Sequence, residues 1–139
     1  MNIAFFITPK KDSVYLAYDS TMRQALEKME YHRYTAIPLI DKEGRYVCTL
    51  TEGDLLWKLK NTPDLTFKDT NKICLKDVPT HMTNKALSIN ASLKEVLHLL
   101  VDQNFVPIVD DDQVFVGIVK RSTIMNYLFN KYGFDFEED

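Results

Sequence analysis

Short apolar runs alternate with polar turns along this chain, and their order is used twice. The stretch from Thr35 to Leu56 holds an apolar run over 36–40 and a turn at Lys42-Glu43-Gly44. A second apolar run follows over 46–50, and then a helix start at Thr51-Glu52-Gly53-Asp54. The stretch from Phe105 to Met125 runs the same way. Pro38 aligns with Pro107, Asp41 with Asp110, Cys48 with Gly117 and Leu55 with Ile124; 107 − 38 and 124 − 55 both equal 69. A constant offset over such a span argues an internal duplication.

The same alternation predicts the remaining elements. Residues 5–8 are an apolar patch ending at Pro9, and 15–18 read as a short strand. Thr21-Met22-Arg23-Gln24 is a capping box, a hydroxyl three residues before a Gln. Met22, Ala25, Leu26 and Met29 then fall at i, i+3, i+4 and i+7 on one helix face. Pro38 has no N–H to donate, so its strand lies at an edge or has its N–H side free there. The helix from Thr51 presents Leu55, Leu56 and Leu59 to the core. In the second half, 86–89 is the strand and Ser92-Leu93-Lys94-Glu95 the capping box. Leu93, Val96, Leu97 and Leu100 repeat the first helix face, now 71 residues on. Residues 106–109 and 114–119 are strands, and Ile124, Met125 and Leu128 mark the last helix. Each half reads β-α-β-β-α, an α+β architecture of two repeats, 1–66 and 67–139, the second with its core over about 77–132. Residues 60–72 are polar, carry Pro63 and suit a surface connection. Residues 73–78 are a short apolar turn into the second half, and the acidic tail after Tyr132 is expected to fray or dock loosely. Each half is small for an independent core, so the two pack with pseudo-twofold symmetry and leave two related clefts between them.

Composition narrows the function. A 139-residue chain with 45% apolar content suits one compact domain or two very small ones. A net charge of −3 without a basic stripe argues against nucleic-acid binding. No apolar run approaches the ~20 residues of a membrane helix, and the start, MNIAFFITPKKD, is no secretory signal. Cys48 and Cys74 stand apart in apolar company, as reduced thiols of a cytoplasmic protein do. His32, His81 and His98 are scattered, with His32 and His98 read as solvated, and no metal spacing, P-loop or G-x-S-x-G is present. A catalytic role is not expected.

The repeated unit, the IPLID and VPIVD runs, the small residue that follows (Cys48, Gly117) and the Thr51-x-x-Asp54 helix start resemble the CBS (cystathionine β-synthase) domain. The chain is similar to a tandem CBS pair, or Bateman module, over nearly its whole length. The resemblance implies a regulatory protein that binds an adenine nucleotide such as AMP, ADP or ATP in the clefts, needs no cofactor, forms a homodimer and signals to a separate protein. Small bacterial CBS pairs that bind cyclic di-AMP are a second reading. A third is an interaction module with vestigial clefts.

The resemblance also assigns residues. Asp54 would accept ribose hydroxyls, Thr51 and the helix N–H groups would face a phosphate, and Tyr34, Thr35, Ala36 and Pro38 would line the adenine slot. Read without it, Thr51 and Asp54 are simply a helix cap with an acid at the positive end of the dipole, and 34–38 is ordinary strand-entry packing. The second half departs from the pattern. Lys120 stands at the Thr position and Thr123 at the Asp position, which leaves no carboxylate for a ribose. Lys120 and Arg121 are cations at a helix start, the wrong sign for the dipole. They are either solvated charges or counter-charges for a phosphate reaching across from Asp54.

Overall fold

The computed structural model describes residues 2–81 and 84–133; the acidic tail from Phe134 lies outside them. The duplicated pattern folds as two α+β halves. In the first, β2 (Leu16–Ala17), β3 (Ala36–Ile40) and β4 (Tyr46–Thr51) form a sheet in the order β2-β3-β4, carrying α1 (Met22–His32) and α2 (Glu52–Asn61). In the second, β5 (Leu87–Ser88), β6 (Phe105–Val109) and β7 (Phe115–Lys120) are joined by β1 (Thr8–Pro9) in the order β1-β7-β6-β5, with α3 (Leu93–Leu100) and α4 (Arg121–Tyr132). The Thr21 and Ser92 capping boxes both form, each hydroxyl accepting from the backbone N–H three residues on. Pro38 sits on the central strand of its sheet. Its missing N–H costs no ladder bond there, because β2 pairs only with Leu39 and Ile40 and stops short of it.

Each half has its own core, the first built on Met22, Ile37, Leu39 and Leu50, the second on Val96, Val106, Ile108 and Val119. Leu56 departs from the expected helix face. It is exposed, as is Met125, its counterpart 69 residues on. Two segments cross between the halves. The apolar patch near the N-terminus serves the second half: Ile3 and Phe6 lie in its core, and β1 pairs antiparallel with β7. Residues 67–78 serve the first. Leu75 and Val78 lie in its core, and Ile73 O accepts from Met22 N at 2.7 Å. The polar connection therefore packs. Arg23 stacks 4.0 Å from the Phe67 ring and donates to Phe67 O and Thr70 Oγ1, which leaves Thr70 fully buried.

The halves meet hairpin to hairpin. Asp41 Oδ1 accepts from Glu43 N and Arg45 N, and Asp110 Oδ1 from Asp112 N and Val114 N, so both turns have one geometry. Tyr46 N donates to Gln113 O at 3.4 Å, and Phe115 N to Gly44 O at 2.8 Å. Beneath them Ile40, Phe105, Phe115 and Ile118 form a third core that belongs to both halves. The Tyr46 hydroxyl adds a tie, donating to Asn84 O at 3.0 Å and sharing a 2.8 Å bond with Thr49 Oγ1.

Two predictions follow from this packing. A Cβ on Gly117 would collide with the Thr8 carbonyl oxygen and the Ile7 side chain. Gly117→Ala should thus expel β1 and lower unfolding free energy by about 1–3 kcal/mol in urea denaturation. Burial pushes the Tyr46 phenol up to about 12 from 10.0. Its folded pKa exceeds the unfolded one, so its contribution is intact below pH 10 and is lost as pH climbs from 10 to 12. The loss is of order 2–3 kcal/mol. Denaturation midpoints across that window should fall more steeply for wild type than for Tyr46→Phe.

Candidate functional site

Packing two sheets through a narrow shared core leaves space on either side of it. The larger cavity is about 530 Å³. Its apolar lining comes from Val14, Ala36, Pro38, Phe105, Ile118 and Met125, and its polar lining from Tyr34, Thr35, Asn104 and Ser122. Among the described residues, its charged lining is Arg33, Lys120 and Arg121, cations without a carboxylate. A smaller cleft of about 210 Å³ is lined by Thr35, Ala36, Thr51, Glu52, Asn84, Asp102, Asn104 and Phe105. Thr35, Ala36, Asn104 and Phe105 form the wall between the two.

The residues expected to act together are thus divided. Tyr34, Thr35, Ala36 and Pro38 share the larger cavity with Lys120 and Arg121. Thr51 faces the smaller cleft, and Asp54 and Thr123 line neither. Asp54 is 1% exposed and its carboxylate is already engaged. Oδ2 accepts from Thr51 N at 2.9 Å while Thr51 Oγ1 accepts from Asp54 N at 3.2 Å, the capping box of α2. Oδ1 accepts from His81 N at 3.0 Å and lies 2.8 Å from His81 Nδ1. Burial pushes the neighbouring Cys48 thiol up and the Asp54 carboxylate adds to the rise, with the Thr80 side chain pulling the other way.

The two cations at the start of α4 have different roles. Arg121 reaches back to the end of α3, donating from Nε to Leu100 O at 2.9 Å and from Nη2 to Gln103 O at 3.0 Å and Val101 O at 3.4 Å. A cation at the negative end of α3 has the favourable sign, and it satisfies carbonyls the helix leaves open. Lys120 is the N-cap of α4, makes no side-chain cap and lines the cavity. Arg33 sits at the left-handed C-cap of α1 on the opposite half.

Sequence reasoning missed Asn104 and Phe105, which stand 69 residues after Thr35 and Ala36; applying the repeat to the proposed site itself would have found them. It also read His81 only as one of three scattered histidines. Among the described residues, no group of three His, Cys, Asp or Glu side chains could hold a metal ion, and no helix is long and apolar enough to cross a membrane.

A model of the CBS domain matches this chain twice, over residues 6–61 and 75–130. The chain is 25% identical over 146 residues to the chloroplastic CBS domain-containing protein CBSX1 of Arabidopsis thaliana, covering 86% of this chain and 61% of that protein's length. Among solved structures it resembles a CBS domain protein of Streptococcus pneumoniae, with TM-score 0.81, 27% identity, and 95% of this chain and 88% of that one covered. The Listeria monocytogenes CbpB protein in complex with c-di-AMP superposes with TM-score 0.80 at 22% identity, over 95% and 97% of the two chains. CBSX2 in complex with AMP does so with TM-score 0.75 at 20% identity, over 94% and 98%.

The different engagement of the two cations is testable by stability alone. Arg121→Ala should cost about 1–3 kcal/mol, because carbonyls at the end of α3 lose charged donors. Lys120→Ala should stay within about 0.5 kcal/mol of wild type. Chemical denaturation of the two variants reads both.

Proposed function

This chain belongs to the CBS domain family, and from that premise we propose that it is a non-enzymatic receptor for an adenine nucleotide, held in the larger cavity between its repeats. The observation that carries the proposal is the lining of that cavity. Ala36, Pro38, Phe105 and Ile118 offer apolar surface for a base, and Lys120 and Arg33 offer positive charge from the two halves. A mostly apolar pocket with a few converging polar groups is the usual form of a small-molecule site. Tyr34, Thr35, Ala36, Pro38 and Lys120 are the contacts assigned to the ligand. Arg121 acts through the cavity wall, since its guanidinium is committed to carbonyls. Thr51, Asp54 and Thr123 lie outside this site.

Cyclic di-AMP is a second reading with its own support. Among the described residues, none lining the larger cavity is a carboxylate that could receive a free ribose diol, and a cyclic dinucleotide has no such diol to offer. The Listeria relative in complex with c-di-AMP shares the fold. Under either reading the ligand biases conformations that differ in affinity for it, and a separate protein reads the result. The exposed Leu56, Trp57 and Met125 on the helices are assigned to a homodimer contact. The unpaired Cys48 and Cys74 accord with a reducing, cytoplasmic setting.

Calorimetric titration of adenosine, AMP, ATP and cyclic di-AMP into wild type and Lys120→Ala tests the reading. Adenosine should bind more weakly than any phosphorylated adenine ligand that binds. Raising salt should narrow the gap, because partly exposed charges are screened, and Lys120→Ala should narrow it too. Equal affinity for adenosine and AMP in wild type, or an unchanged gap in Lys120→Ala, would remove the cavity from consideration. Absence of binding by all four ligands would leave the interaction-module reading in place.

A further inference from the structure

The two clefts beside the shared core differ in charge. The larger has Arg33, Lys120 and Arg121 in its lining. The smaller has Glu52 and Asp102, and among the described residues no Lys, Arg or His lines it. Its carboxylates come from opposite halves, Glu52 from the start of α2 and Asp102 from the residue after Val101, the C-cap of α3. An acid at that negative helix end has the unfavourable sign. Among the described residues neither carboxylate has an ion pair or a hydrogen bond. Arg121 serves the same helix end, but its guanidinium is committed to the Leu100, Val101 and Gln103 carbonyls. Asn84 adds an independent sign of a missing donor. It lines this cleft and is 7% exposed, yet its Oδ1 accepts no hydrogen bond. Its backbone is held in place, since the Tyr46 hydroxyl donates to Asn84 O at 3.0 Å. A buried acceptor without a donor is destabilising, and a bound donor would relieve it.

We propose that the smaller cleft binds a short aliphatic diammonium ion, its charges balanced by Glu52 and Asp102 and one N–H donated to Asn84 Oδ1. The cleft is about 210 Å³, below the roughly 300 Å³ at which pockets for drug-sized ligands begin. That space suits a short chain better than a base with its ribose. Ala36 and Phe105 supply apolar surface for the methylenes. An ammonium has three donors and no acceptor, which matches two carboxylates and a recessed amide oxygen. A bare metal ion is a poorer match, because no group of three His, Cys, Asp or Glu side chains is gathered among the described residues. This ligand is distinct from the nucleotide assigned to the larger cavity.

The experiment titrates 1,4-diaminobutane into wild type, Glu52→Gln, Asp102→Asn and Asn84→Leu at constant ionic strength. Calorimetry gives the affinities, and NMR follows the Asn84 side-chain amide signals, assigned by their loss in Asn84→Leu. In wild type those signals should shift saturably. Glu52→Gln and Asp102→Asn should each weaken binding about three- to tenfold, the loss of one partly screened charge-assisted hydrogen bond. Asn84→Leu should weaken it about threefold, while its urea midpoint stays at or above that of wild type, because the orphan acceptor is gone. The neutral 1,4-butanediol, and magnesium chloride at the same ionic strength, should leave the amide signals fixed. The proposal is overturned if the diamine moves no signal, or if the diol or magnesium moves them equally. Unchanged affinity in both charge variants, or in Asn84→Leu, overturns it as well. So does a shift of the Asn84 signals by AMP in place of the diamine, which would make the smaller cleft a second nucleotide site. The nucleotide of the larger cavity is read separately, through Lys120→Ala, and stands or falls without these results.

Discussion

The reciprocal pairing of the two hairpins is the constraint on which the rest of the molecule depends. Neither half buries enough apolar surface to be secure alone. Joining them places Ile40, Phe105, Phe115 and Ile118 in a core that neither owns. Tyr46 N bonds Gln113 O and Phe115 N bonds Gly44 O, and each pair of equivalent residues is 69 apart. The duplication thus appears as two equivalent contacts about a local twofold axis. The cavities are a by-product of this geometry. Sheets that touch through a small core at one end leave space on both sides of it, lined by strand entries from one half and a helix start from the other.

Within that symmetry the two helix starts have diverged in charge. The α2 start keeps Glu52 and Asp54, acids at the positive end of a helix, and closes on itself through its capping box. The α4 start has Lys120 and Arg121 and no side-chain cap. Arg121 relieves the unfavourable placement by serving the opposite end of a neighbouring helix. One site is therefore acidic, capped and tight. The other is cationic and roomy. Two copies of one motif have become unlike environments through differences at four consecutive positions, Thr51-Glu52-Gly53-Asp54 against Lys120-Arg121-Ser122-Thr123.

Much of this was legible in the sequence. The repeat, the capping boxes at Thr21 and Ser92, and the strands around Pro38 and Pro107 all follow from local pattern, where each residue's role is set by neighbours a few positions away. What was not legible depends on partners far along the chain. Thr8 and Pro9 carry no signal that they pair with Ile118 and Gly117. Arg121 reads as a misplaced charge until the end of α3 is seen beside it. His81 belongs to no periodic element, and its bond to Asp54 spans 27 residues between segments the duplication does not relate. Thr51 and Asp54 were recognised as a motif, but no motif states whether its carboxylate is open to a ligand or already taken.

The crossing of the two entry segments has a consequence for the order in which the molecule is made. The first half needs Leu75 and Val78, which emerge soon after α2, so every residue of its own core is made before the second half is complete. The second half cannot be finished that way. Its outer strand, Thr8–Pro9, is made before every other strand of its sheet, yet its partner strand begins only at Phe115. Through most of synthesis this segment, with Ile3 and Phe6, has no sheet to join and exposes apolar surface, the condition under which nascent chains aggregate. Closing so long a loop is slow, so of the strands in this sheet the one made first is the last to pair.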